Sequence, residues 1–210
     1  MHPEDKNIKE SKSSTFYRME KMHPFKMFLT LSMIGSGLIF LFLLISFLYT
    51  KPEDFNFSTF NLPRAFVLSS IVLVSSSFII NRVLHYFATD NGGALRLALG
   101  MTLLSGIIFI VLQYVGWLEL AAQGLVLSGK PYSGFIYLIS GLHGLHCIGG
   151  IIYLTVVFVS VLKALNDPVK TLIMFTNPFQ KLKLQLLVMY WHYLDGLWLF
   201  IFMFLLFSLS

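Results

Sequence analysis

The sequence predicts an all-α membrane protein, a bundle of five transmembrane helices, and three observations carry that expectation. Apolar residues make up 56% of the chain and charged residues 12%, with a mean hydropathy of +0.76, more than a water-soluble core of this size could use. Five apolar runs, at residues 27–49, 63–87, 95–117, 132–162 and 182–209, each reach the about 20 residues needed to cross a roughly 30 Å hydrocarbon layer. No region alternates with period two between turns, so helices are left as the way to satisfy the backbone in lipid.

Taken in chain order, residues 1–26 form a polar segment rich in Lys, Glu, Asp and Ser, and residues 27–210 form the membrane domain. The run at 27–49 is too long for the core of a signal peptide and is expected to remain as span one. Spans four and five exceed the minimum length, which implies tilt or extension into water. Small residues mark close helix approach: Ser32, Gly35 and Ser36 in span one, Ser75 to Ser77 in span two, and Gly141, Gly144, Gly149 and Gly150 in span four. Trp117, Tyr132 and Tyr49 fall near span ends, where an interfacial aromatic belt is expected. Loops are short except at residues 164–181, where Asn166, Asp167, Pro168, Asn177 and Pro178 read as turn chemistry. The single cysteine, Cys147, cannot form an internal disulfide and reads as a small buried hydrophobe.

Basic residues sort by side, and cytoplasmic segments retain Lys and Arg. Lys6, Lys9, Lys12, Arg18, Lys21 and Lys26 precede span one, Arg82 and Arg96 flank the second loop, and Lys163, Lys170, Lys181 and Lys183 border the fourth. Lys51, Arg64 and Lys130 fall on the other side. The expected topology has a cytoplasmic amino terminus and a carboxyl end outside. The net charge of +5 therefore reads as topology and attraction to anionic lipid, and no Lys/Arg cluster is interleaved with aromatics as nucleic-acid binding requires.

An ionisable side chain in the membrane is costly and needs a partner or a purpose. Asn81, Arg82 and His85 lie together on span two; Thr102, Ser105 and Gln113 run along span three, with Glu119 beyond them. His143 and His146 are three apart on span four, and Gln185, His192 and Asp195 share a face of span five. A metal site drawn from His143, His146, His192 and Asp195 is one reading. Against it, there are no further His or acidic pairs for a two-metal cage, and two histidines at this spacing cannot take opposite sides of a haem iron. The other reading, which we favour, is a network in which these His and Asp side chains pair between spans four and five and fix their packing.

Two longer motifs narrow the choice. Residues 137–150, YLISGLHGLHCIGG, resemble the TGxHGLHV helix of haem-copper oxidase subunit III, and residues 190–200, YWHYLDGLWLF, resemble that family's closing YWHFVDxxWLFLF helix. The serine stretch from Ser69 to Ser77 with His85, and residues 112–119, LQYVGWLE, are similar to the corresponding upstream spans. The layout is similar to the short bacterial form, which lacks the two leading helices of longer members. Two departures stand out. Span one has no acidic residue where the family often carries a membrane glutamate, and Gly116 stands where a second family glutamate is found, while Glu119 matches the one that follows.

The resemblance implies a subunit of a proton-pumping terminal oxidase, a cytochrome c oxidase of the aa3 type, in a bacterial plasma membrane with the carboxyl end periplasmic. It implies that haem and copper reside in partner subunits, with no catalytic, cofactor or metal residue in this chain. The chain's role is then to stabilise subunit I and to hold phospholipid, with Arg82 and His85 as candidates for the phosphate, within an assembly that extends to a respiratory supercomplex. Alternatives are subunit III of a quinol oxidase, an accessory subunit of a nitric oxide reductase, or, more distantly, an independent metal enzyme or channel.

Overall fold

A computed structural model describes residues 24–50, 63–127 and 131–209. Most of the polar amino-terminal segment, together with Lys51 and Lys130, lies outside the described residues. Seven helices follow in order: α1 (Pro24–Thr50), α2 (Arg64–Asn81), α3 (Val83–Ala88), α4 (Gly92–Ala122), α5 (Pro131–Leu165), α6 (Pro168–Thr176) and α7 (Pro178–Leu209). With α2 and α3 running on as one rod, five of these units are long and apolar enough to cross a membrane. Span one is α1, span two is α2 with α3, and spans three, four and five are α4, α5 and α7. The ends of each span fall within about five residues of the ends of its apolar run.

The ends follow local chemistry. Span two changes stride at Arg82, whose N–H bonds to the Ile79 carbonyl at 3.1 Å in a tightened turn before α3 resumes. Asp90 takes φ +52° in the turn that follows, a conformation Asp tolerates better than most. Asn91 then caps α4, its side-chain oxygen accepting from Ala94 N–H at 3.0 Å. At the far end of α4, Gly124 sits at φ +79°. The Leu125 N–H bonds back to the Leu120 carbonyl at 3.1 Å and the Gly124 N–H to Ala121 at 3.0 Å, a Schellman closure with Leu120 and Leu125 both buried beneath it.

One expectation needs correction. The long loop at 164–181 contains a nine-residue helix, α6. Asp167 is its N-cap, accepting from Val169 N–H at 3.0 Å, and Pro168 occupies the first helical position, where its missing N–H costs nothing. Residues that read as turn formers are here a helix start.

Span five is the hub, packing against spans one, two and four, while span three lies between spans two and four. The interior divides along the membrane axis into two clusters. One gathers Phe40, Phe47, Phe66, Phe109 and Trp198 toward the end that holds the span three to four turn; the other gathers Val83, Leu95, Leu99, Val161, Leu187 and Trp191 toward the α6 end. The outside is apolar: Phe28 is 73% exposed, Phe42 67% and Phe207 79%. Such a surface is stable against lipid tails and not against water.

Packing explains the glycine at position 116. A Cβ there would collide with the Phe66 ring, and that ring is 1% exposed and held edge-on against Trp198 at 5.7 Å. With no room for Phe66 to swing away, Gly116→Ala is expected to lose about 1–3 kcal/mol to overpacking. A thermal melt of the purified chain that leaves the midpoint where it was would show that the ring yields.

Candidate functional site

The polar side chains of the interior form a seam centred on span two. Ser69, Ser70 and Ser76 are buried, and each donates its hydroxyl hydrogen to its own helix: Ser69 to Phe66 O at 2.9 Å, Ser70 to Phe66 O at 2.8 Å and Ser76 to Leu73 O at 2.8 Å. Each oxygen then faces outward as an acceptor. Gln113 Nε2 of span three donates to Ser69 at 3.1 Å, Trp198 Nε1 of span five donates to Ser70 at 2.9 Å, and Trp191 Nε1 donates to Ser76 at 3.0 Å. Ser77 Oγ meets His192 Nδ1 at 2.8 Å. The indole nitrogen can only donate, and a serine that has already donated can only accept, so the contacts to Ser69, Ser70 and Ser76 have one direction, while that between Ser77 and His192 depends on the imidazole tautomer.

The same device recurs elsewhere. Trp117 Nε1 of span three donates to Ser140 Oγ of span four at 2.9 Å, and Ser140 donates to Ile136 O at 2.7 Å. Tyr137 Oη lies 2.8 Å from the Leu125 carbonyl and 3.1 Å from that of Trp117, holding the span three to four turn. Span one is tied to span five by a 2.6 Å hydrogen bond between Ser36 and Tyr193 hydroxyls, and Tyr190 donates to the His146 carbonyl at 3.1 Å.

The sequence-predicted residues fall as follows. His143 is fully buried at the bundle centre, its ring 5.2 Å from Trp198, 5.7 Å from Phe109 and 6.4 Å from Phe40 between centroids. Its Nε2 lies 3.1 Å from Cys147 Sγ, one turn on. His146 instead turns to its own helix, with Nδ1–H donating to Leu142 O at 2.8 Å. Asp195 is 4% exposed, and neither of its oxygens, nor His143 Nδ1 or Gln113 Oε1, has a hydrogen-bond partner among the described residues. It lies near Cys147 and Ser77, but the Ser77 hydroxyl meets hydrogen-bonding geometry only toward His192.

Direct pairing of His143, His146 and His192 with Asp195 is thus not what the described residues show. His143 instead meets Cys147 and His192 meets Ser77, two residues that read as packing, while His146 bonds to its own helix. Glu119 does separate work: its Oε2 accepts from the Ala65 N–H at 3.4 Å, at the first turn of α2, where free amides and the positive helix end favour a carboxylate. Arg82 lines an apolar groove of about 350 Å³ between spans two and three, with Phe78, Tyr86 and Leu97. His85 is exposed beside Tyr86 and does not line that groove. Among the described residues, no group of three or more His, Cys, Asp or Glu is arranged to hold a metal ion.

With the geometry in hand, comparison with known proteins is decisive for the family. The sequence profile described as cytochrome c oxidase subunit III matches residues 52–209, three quarters of the chain. The chain belongs to the cytochrome c oxidase subunit III family. This family member is 29% identical over 166 residues to the cytochrome bo(3) ubiquinol oxidase subunit 3 of Buchnera aphidicola subsp. Baizongia pistaciae, covering 78% of this chain and 77% of that one. It is 32% identical over 133 residues to a probable cytochrome c oxidase subunit 3 of Nocardia farcinica, covering 62% and 60%. Against the cytochrome c oxidase subunit 3 of Corynebacterium diphtheriae it is 28% identical over 144 residues, covering 68% and 64%. The last two relatives are spanned over less than two thirds of their length.

The seam makes a quantitative prediction for this subunit III relative. In membranes, interhelical hydrogen bonds contribute about 0.6 kcal/mol on average and up to about 1.7. A double-mutant cycle on Ser76→Ala and Trp191→Phe, read from denaturation of the reconstituted chain, is expected to give a coupling within that range. Strict additivity of the two changes would mean that the indole finds another acceptor.

Proposed function

We propose that this chain is the structural, non-redox third subunit of a proton-pumping terminal oxidase of the cytochrome c-oxidising aa3 type, that it buttresses subunit I, and that it retains phospholipid. One observation carries the reading: the indole, imidazole and phenol groups of span five, though not the Asp195 carboxylate, are spent on holding helices together. Trp191, Trp198 and His192 each bond to a serine of span two, and Tyr193 to span one. A bundle locked in this way presents a fixed apolar exterior to a membrane neighbour, and haem and copper then belong to that neighbour. The His143, Cys147 and Asp195 group belongs to the same packing role.

The topology that goes with this reading has the amino terminus in the bacterial cytoplasm and the carboxyl end in the periplasm, from the distribution of Lys and Arg. A quinol-oxidising complex is the second reading, favoured by the similarity to the Buchnera ubiquinol oxidase subunit. Affinity purification of the tagged chain from its own membranes separates these. A copurifying haem-bearing subunit together with a copper-A or cytochrome c domain is expected; a haem-bearing partner without either domain selects the quinol reading. Recovery of the chain without any haem spectrum would remove both.

Two grooves support the lipid role. The one at Arg82 places a cation beside an apolar wall. A second, of about 510 Å³, lies between α1, α5 and α7; Phe28, Leu186 and Tyr190 line it and Lys183 stands at its edge, the ammonium 4.8 Å from the Phe179 ring centroid. An acyl chain suits either wall and a headgroup phosphate suits either cation. Arg82→Gln is expected to lower phospholipid retention severalfold in native mass spectrometry of the purified complex, and His85→Gln to change it less, since His85 stands outside the groove. Equal retention in wild type and Arg82→Gln would leave Arg82 as a residue that merely reaches toward water.

A further inference from the structure

The α6 helix has two distinct faces: Met174 and Phe175 pack against the interior of the bundle, while its polar residues and its outer apolar side are not explained by packing the five spans. Lys170, Ile173, Met174 and Asn177 follow one another at helical spacing along the face that turns toward the end of α5 and the start of α7. Val169 and Leu172, each 67% exposed, stand on the outer side. A helix of this kind, strung between the ends of two membrane-crossing helices, lies in the interface plane with its apolar side among acyl chains. That depth is where phospholipid headgroups are found.

Beneath it is a cavity of about 540 Å³, and its lining differs in kind from the two apolar grooves. Lys163 from the last turn of α5 and Lys170 from α6 supply two cations, while Ser160, Asn166, Asn177 and Gln180 supply neutral hydrogen-bonding groups. No carboxylate lines it. Asp167 does contact Lys170 at 3.3 Å, but the Lys170 side chain is 67% exposed and that of Asp167 39%, so solvent weakens the pair and leaves the ammonium able to meet a second anion. Lys163 offsets the negative end of α5, and the positive start of the 32-residue α7 opens on the same space through Asn177 and Gln180.

We propose that this cavity holds the phosphate of an anionic phospholipid headgroup, with Lys163 and Lys170 as its counter-charges and the side-chain amides of Asn166, Asn177 and Gln180 as donors. The outer apolar side of α6 beds into the same lipid's surroundings. An acidic protein segment fits less well, and the chain's own amino-terminal residues 1–23 are no candidate, since they carry five Lys or Arg against four Asp or Glu. The proposal rests on the chain being embedded in a bilayer and not on its place in an oxidase.

The test uses the full chain, purified in its native membrane assembly and exchanged into bilayer discs of phosphatidylcholine containing a minor fraction of phosphatidylglycerol. Native mass spectrometry reads the phosphatidylglycerol retained by this chain, which its mass identifies whether or not a haem-bearing partner is present. Lys163→Gln/Lys170→Gln is expected to retain roughly tenfold less, Lys163→Arg/Lys170→Arg to retain the wild-type amount, and Lys181→Gln, an exposed cation nearby that does not line the cavity, to leave retention unchanged. Inorganic phosphate at millimolar concentration is expected not to displace the lipid. Wild-type retention in the double Gln variant overturns the proposal, as does an equal loss in Lys181→Gln, which would mean diffuse surface charge. Displacement by inorganic phosphate overturns it as well, since the site would then take the free ion.

Discussion

The fold depends on an indole N–H meeting a serine hydroxyl inside the membrane. A Trp side chain brings a large apolar body and one donor that has no water to satisfy it in lipid. Leaving that donor unpaired in the interior costs on the order of 1–3 kcal/mol. Trp191 and Trp198 are seven residues apart, and their acceptors Ser76 and Ser70 are six apart on the facing span. The two contacts are therefore made together only at one axial offset and one rotation of the helices. Sliding span five by a turn would strand both indoles at once, so the seam sets register in a bundle whose remaining contacts are adaptable apolar surface.

The glycines and the aromatics complete that arrangement. A Cβ at Gly106 would stand 2.9 Å from the Trp191 ring, and one at Gly150 would stand 2.9 Å from Leu194. Spans three and four are thus notched where span five is widest. His143 fits into the same logic as an aromatic ring among aromatic rings, surrounded by Phe40, Phe109 and Trp198 from three different spans.

The five spans were legible from run length alone, since a hydrocarbon layer demands a minimum apolar stretch and nothing else in the chain imitates it. The site was legible in part. Sequence spacing places His143 on one face of span four and His192 and Asp195 on one face of span five, but it is silent on how far one helix is rotated or shifted against another. That shift sends His192 to Ser77 and leaves His143 with Cys147. The His143–Cys147 spacing of one turn was readable, but the cysteine's apolar character hid it. The Ser and Trp pairs at matching intervals were also readable in principle; what hid them is that serines in a span signal close packing as often as hydrogen bonding. The α6 helix was missed because Asp followed by Pro serves equally for a turn and for a helix start, and the choice turns on what packs behind it, here Met174 and Phe175 against the α6-end cluster.

The contact between Phe66 and Gly116 has a consequence for how this protein can vary. Because the ring fills the space a side chain at 116 needs, the two positions are not independent. A variant with an acid at 116 must also shrink the residue at 66, and one that keeps the phenyl ring keeps the glycine. Divergence along this helix pair therefore proceeds by paired exchange, with single steps at either position passing through a less stable intermediate.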